Sequence, residues 1–181
     1  MPPGIYHVTI RSTAARSVYR SSADRVWFLQ LLADVSARYK LRALTYCLMT
    51  THYHALLRSI DGDAVQPAMQ RLNGIYGRWF NWRYGEHGHL FGDRYKLIRA
   101  ADDTHLLELF RYISLNPVRA GIVRQPEDWR WSGYRALLGL EPEQPPAWLD
   151  VEWPLRLFGA TQEIARARLR DFVALASPAT R

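Results

Sequence analysis

Apolar and polar residues alternate from the start of the chain. Over residues 5–10, Tyr6, Val8 and Ile10 interleave with His7, Thr9 and Arg11, a period of two that predicts a strand with one apolar face. The cap signal Ser21, Ser22, Ala23, Asp24 then opens a segment in which Val26, Phe28, Leu29, Leu32, Val35 and Tyr39 recur at helical spacing, so an amphipathic helix is expected to about Lys40. Residues 41–49 and 54–60 are two apolar-rich stretches separated by Thr50 and Thr51, a pair of strands joined by a short turn. Residues 65–84 return to a helical period, with Met69, Leu72, Ile75, Tyr76, Trp79 and Phe80 inward; Gly74 and Gly77 weaken its intrinsic propensity. A loop over 85–92 precedes a fourth strand at 95–100. Asp102, Asp103 and Thr104 open a third helix, which is expected to stop near Asn116 because Pro117 follows.

The predicted order is strand, helix, strand, strand, helix, strand, helix. This is an α+β chain with a ferredoxin-like split β-α-β core and an antiparallel sheet, to which one helix is added. The proline-rich stretch 141–146 reads as a linker, and helical material with Arg156, Arg166, Arg168 and Arg170 is expected over 151–175. The chain thus divides into residues 1–139 and a linker with a helical C-terminal extension, residues 140–181.

Composition sharpens the picture in three ways. The 181 residues are 48% hydrophobic, enough for a packed core, and the single cysteine, Cys47, lies in an apolar stretch where a buried, inert thiol is expected. No apolar run approaches the roughly 18 residues of a membrane span and no basic-then-apolar leader opens the chain, so a cytoplasmic, nucleoid-associated location without a membrane partner is expected. Lys and Arg total 24 against 17 Asp and Glu, a formal charge of +7 carried mostly by arginine, whose forked guanidinium suits phosphate oxygens.

His52 and His54 flank Tyr53 at the start of a predicted strand, so both imidazoles project from one face and can supply two ligands to a divalent cation. Near the end of the third helix, Tyr112 and Asn116 stand four residues apart and share a helix face. Asn116 offers an amide oxygen as a third ligand, which would bring the Tyr112 phenol beside the metal. A phenol ordinarily ionises near pH 10 and is a weak nucleophile at neutrality, and a Lewis-acidic cation on the scissile phosphate would compensate for that. Attack on phosphorus would leave a 5′-phosphotyrosine and a free 3′-hydroxyl. Each residue alone has an ordinary structural explanation, an aromatic core position for Tyr112 and a helix stop for Asn116; their joint occurrence carries the reading.

Several stretches resemble one known group, the REP-associated tyrosine transposases among the single-tyrosine HUH endonucleases. They are residues 4–9 (GIYHVT), 46–57 (YCLMTTHYHALL), 69–81 (MQRLNGIYGRWFN), 88–96 (GHLFGDRYK), 109–123 (LFRYISLNPVRAGIV) and 126–134 (PEDWRWSGY). The resemblance spans about residues 4–139. It implies metal ligands at His52 and His54, a nucleophile at Tyr112, an amide ligand at Asn116, and Mg²⁺ or Mn²⁺ as cofactor. It further implies cleavage and strand transfer on hairpin-bearing single-stranded DNA by a monomer or homodimer. Thr50 and Thr51 stand where such proteins more often carry Pro-Asn, a departure confined to the turn.

Arg94 and Lys96 fall on one side of the fourth strand and could line a phosphate track, as could Arg71, Arg78 and Arg119; a charged guard on an edge strand explains the first two equally well. Of the remaining histidines, His7, His87, His89 and His105 show no partner at ligand spacing apart from Glu108, which shares the Tyr112 helix face with His105 and could orient the phenol. Three rival classes fit less well. An RNA-recognition module would need an aromatic, glycine-spaced strand, a small metallo-barrel a glutamate soon after the histidines, and a structural zinc site paired cysteines. A domesticated relative that binds DNA without cutting it is the remaining alternative.

Overall fold

The computed structural model describes residues 3–92, 95–141 and 143–174. Four strands, β1 (Gly4–Arg11), β2 (Leu41–Leu48), β3 (His52–Ser59) and β4 (Lys96–Arg99), form one sheet in the order β2-β3-β1-β4. Every pairing is antiparallel, and two helices, α1 (Ser22–Arg38) and α2 (Val65–Tyr84), supply the crossovers. This is the sheet that a split β-α-β order produces.

Both faces of the sheet are covered, by different means. On one, Tyr6, Val8, Ile10, Tyr53, Ala55 and Leu57 pack with Phe28, Leu32 and Val35 of α1 and with Met69, Leu72, Tyr76 and Phe80 of α2. On the other, Leu44, Cys47 and Leu56 meet Leu106, Leu109, Phe110 and Ile113 of α3 (Asp103–Arg119). Cys47 is fully buried, as expected for an apolar setting, and burial pushes its thiol up to about 12.

The start of α1 forms as its sequence predicts. The Ser21 hydroxyl accepts from the Asp24 backbone N–H and the Asp24 carboxylate accepts from the Ser21 N–H, a reciprocal capping box. Past its end, Lys40 takes a left-handed φ of 53° to turn the chain into β2.

One expectation needs correction. α3 does not stop at Asn116 but runs on through Pro117 to Arg119. The conformational restriction before proline is a bias, and a proline two residues from a helix end removes only the single bond its N–H would have made to Ile113. Its ring is buried, so packing offsets that loss. The helical material expected over 151–175 is α5 (Glu152–Leu155) and α6 (Gln162–Ala174), after a short α4 (Tyr134–Leu138) that the periodicity did not reveal. At the break, a Cβ on Gly159 would lie 2.9 Å from the Ile164 side chain and 3.0 Å from the Ala165 nitrogen, a closeness only glycine permits.

Leu155, Phe158, Ala165, Leu169 and Val173 join the buried cluster around α3. The Arg111 guanidinium, 3.7 Å from the Phe172 ring centroid, also donates to the Phe172 carbonyl at 3.0 Å. The extension therefore backs the helix that carries Tyr112 and Asn116.

Candidate active site

The site begins with the alternation of β3. Tyr53 points into the α1/α2 face, where its hydroxyl donates to Asn73 Oδ1 at 2.9 Å and its ring lies 4.8 Å from that of Phe28. Its neighbours His52 and His54 therefore face α3, with ring centroids 5.0 Å apart. Across the sheet, Arg11 stands opposite His52 and Thr9 opposite His54.

Both imidazoles are tied at Nδ1. The Nδ1 of His52 lies 3.2 Å from Thr51 Oγ1, and the Nδ1 of His54 lies 2.9 Å from His7 Nε2. Their Nε2 atoms lie on the opposite ring edges. That of His52 is buried without a hydrogen-bond partner, and that of His54 is 3.1 Å from the Asn116 amide nitrogen. Rotating the Asn116 amide by half a turn would present its oxygen instead.

Tyr112 packs edge-on to the pair, its ring centroid 5.4 Å from that of His54 and 6.0 Å from that of His7. It is 37% exposed, whereas His54 is 2% exposed, so the phenol stands at the mouth of the site and the imidazoles at its floor. The Arg119 guanidinium lies over the Tyr112 ring at 5.6 Å. His7, Thr9, Arg11, Lys96, Leu109 and Tyr112 line the open cleft above, of about 760 Å³. A cleft of about 920 Å³ lies around Lys40, Arg58, Trp148 and Trp153 at the other end of the strands, away from this group.

Burial keeps the histidines neutral. Desolvation, followed by the nearby imidazoles of His7 and His52 and the Arg11 charge, lowers His54 to about 2. His7 is lowered to about 4 by burial and then by His105. His52 is shifted in the same direction by burial and Arg11, partly offset by the Asn116 amide.

Neutral imidazoles with free Nε2 lone pairs are what a divalent cation requires. Ligands at about 2.1 Å on adjacent corners of an octahedron stand about 3 Å apart, close to the His54–Asn116 separation. Among the described residues no group of three or more His, Cys, Asp and Glu side chains could hold a metal ion. A cation here would need the Asn116 amide, water or substrate oxygen to complete its shell. The unpartnered His52 Nε2 and this mixed nitrogen and oxygen set suit Mn²⁺ more closely than the harder Mg²⁺.

The sequence-derived residues thus separate. His52, His54, Tyr112 and Asn116 come together, with Lys96 on the wall and Arg119 against the phenol. Arg71 and Arg78 are exposed on α2, which covers the opposite face of the sheet, and take no part in the cleft. Arg94 lies outside the described residues. Glu108 pairs with Arg111 at 2.9 Å on the exposed side of α3 and does not orient the phenol. His7, read from sequence as lacking a partner, is the direct neighbour of His54, and Arg11 is also part of the site. The signal for both lay in the polar side of β1, where His7, Thr9 and Arg11 share one face, but it required the pairing of β1 with β3.

No helix among the described residues is long and apolar enough to cross a membrane. The profile of the family described as "Transposase IS200 like" matches residues 3–116. Among solved structures, one described as the REP-associated tyrosine transposase bound to a REP hairpin has a TM-score of 0.64 at 17% identity, over 83% of this chain and 88% of that one. A putative transposase from Deinococcus radiodurans R1 has a TM-score of 0.47 at 16% identity, over 62% of this chain and 90% of that one. At such identity the first likeness is one of fold. No curated protein sequence matches the chain.

Proposed function

Because the chain belongs to the IS200-like transposase family, we propose that it is a metal-dependent endonuclease and strand transferase for single-stranded DNA, with Tyr112 as its nucleophile. The observation that carries this reading is the edge-on seat of the Tyr112 ring 5.4 Å from that of His54, whose Nε2 lies 3.1 Å from Asn116 and whose neighbour His52 has a buried, unpartnered Nε2. His52 and His54 would hold Mn²⁺ or Mg²⁺, with Asn116 as an oxygen donor. Bound there, the cation would polarise the non-bridging oxygens of the scissile phosphate and offset the charge that builds on them.

The remaining work falls to the chain itself. The Tyr112 oxygen forms a bond to phosphorus as the bond from phosphorus to the 3′-oxygen breaks. The phenolic proton passes to solvent and the leaving oxygen takes up a proton to become a 3′-hydroxyl. The product is a 5′-phosphotyrosine that keeps the phosphodiester's energy, so a different 3′-hydroxyl can attack it and join the strand without ATP. Arg119 positions the phenol through its ring face, and Lys96 and Arg11 offer charge to the incoming backbone.

The hairpin bound by the structural neighbour suggests hairpin-bearing repeats as substrate. Arg71 and Arg78, on the far face, would meet only DNA leading away from the cleft.

The test is Tyr112→Phe with Mn²⁺ on a folded, 3′-labelled single-stranded repeat. Nicking and the covalent protein–DNA adduct should both disappear while DNA affinity stays within a factor of about three, because only the attacking oxygen is lost. Retained nicking by Tyr112→Phe refutes the assignment. An unsubstituted protein that binds the hairpin but never forms the adduct is a binder and not a nuclease.

A further inference from the structure

We infer that His7 is a positioning residue: it accepts a hydrogen bond from His54 Nδ1–H and so holds His54 in the one tautomer whose Nε2 lone pair is free. The inference rests on the cation reading of His52 and His54 and adds a residue to it.

A hydrogen bond between two ring nitrogens requires one N–H and one lone pair. The 2.9 Å contact between His7 Nε2 and His54 Nδ1 therefore allows two arrangements. If His7 donates, the proton of neutral His54 sits on Nε2 and blocks it. If His54 donates, its Nε2 is free. The opposite edge of the ring favours the second, since the Asn116 amide nitrogen stands 3.1 Å from His54 Nε2, as a donor faces a lone pair. The order is then Asn116 N–H to His54 Nε2, and His54 Nδ1–H to His7 Nε2.

His52 is also tied at Nδ1. Its Nδ1 is 3.2 Å from the Thr51 hydroxyl oxygen, and its Nε2 is the edge left unpartnered. Two adjacent imidazoles, each tied at Nδ1, are what a pair of metal-binding histidines requires of its supporting groups. His7 does not itself serve as a ligand through Nε2, because that atom is already engaged. Its place follows from sheet geometry: Thr9 is paired with His54, so His7 stands one step along the same face and reaches the ring on the diagonal. The two rings stack 5.1 Å apart at an angle of 19°, which leaves His54 little rotational freedom.

Two measurements test this. In the metal-free, unsubstituted protein, long-range proton–nitrogen NMR correlation should find the His54 proton on Nδ1 and Nε2 unprotonated; a proton on Nε2 overturns the inference and leaves the role of Tyr112 untouched. In the second, Mn²⁺ binding without DNA is followed by the electron paramagnetic resonance of the free ion. His7→Phe, which removes the acceptor and keeps the bulk, should weaken binding about 10- to 100-fold, and His7→Gln, which restores an oxygen near the Nε2 position, should recover most of it. Unchanged Mn²⁺ affinity in His7→Phe, where His54→Ala has lost it, overturns the positioning role alone. Failure of the unsubstituted protein to bind Mn²⁺, or equal binding after His54→Ala, overturns the cation reading and this inference with it. Should His7→Phe not fold, the NMR result decides.

Discussion

On one side of β3, Tyr53, Ala55 and Leu57 enter a wall of rings and aliphatic side chains; on the other, His54 lines an open cleft with His52 beside it. The first side is packed ring against ring, with Phe28 edge-on to Tyr19 and Tyr76 and tilted against Tyr53, and with the Tyr76 hydroxyl donating to the Val18 carbonyl at 2.6 Å. The second keeps polar groups nearly as deeply buried, among them His52 Nε2, which has no partner. An unmatched buried imidazole nitrogen costs free energy, and beside a second neutral imidazole it is a ready ligand position. The single step between Tyr53 and either histidine joins the two: the packed face supplies the rigidity that fixes the direction of the imidazoles.

The apolar face should be the more sensitive to truncation. Phe28 is fully buried and touches three aromatic rings, so Phe28→Ala is expected to cost about 3–5 kcal/mol, a large part of the roughly 5–15 kcal/mol typical of a domain. Urea denaturation measures it. A loss below about 1 kcal/mol would mean that the face is loosely packed and cannot be what orients β3.

The polar face should reveal itself through pH. His54 and His7 are held at about 2 and about 4, below the ordinary imidazole value of 6.5, so the folded protein resists protons that the unfolded chain accepts. Stability is therefore fully present above pH 6.5 and falls as the pH drops toward 4, by up to about 1.4 kcal/mol per pH unit for each imidazole. Asp24, whose pKa is lowered by hydrogen bonds from Tyr84 and Ser21 that outweigh its desolvation, adds an acid-side loss only below the usual carboxylate range. Urea midpoints of the metal-free protein between pH 7 and 4.5 should slope accordingly, and His7→Phe should flatten the slope. A flat profile would show that the imidazoles are hydrated and the floor is not closed.

Much of this arrangement was legible in the sequence because it depends on local periods. The alternation around Tyr53 placed His52 and His54 on one face, and the four-residue spacing placed Tyr112 with Asn116. What was not legible depends on pairing between distant segments. The histidine nearest to His7 in the chain, His52, is 45 residues away, and only the β1–β3 register makes His7 a partner of His54. Arg71 and Arg78 resembled DNA contacts by charge, but charge does not report which face a helix covers. Pro117 looked like a stop because the bias before proline is local, whereas buried contacts across the end of α3 decide where that helix finishes.

The smallest effect tests whether the two faces are independent. Ser21→Ala removes the hydroxyl that accepts from the Asp24 N–H at 3.3 Å and donates to its carboxylate at 2.9 Å, while Asp24 keeps the Arg20 N–H and the Tyr84 hydroxyl. Loss of one cap should cost about 1 kcal/mol. The change lies on α1, across the sheet from the cleft, and reaches neither an imidazole nor the phenol. Adduct formation per folded molecule should therefore stay within a factor of about two of the unsubstituted protein, since a defect confined to stability alters how much protein is folded and not the barrier within it. A larger drop at equal folded fraction would mean that α1 strain passes through β3 to His54, and the division of β3 into a structural and a functional face would have to be given up.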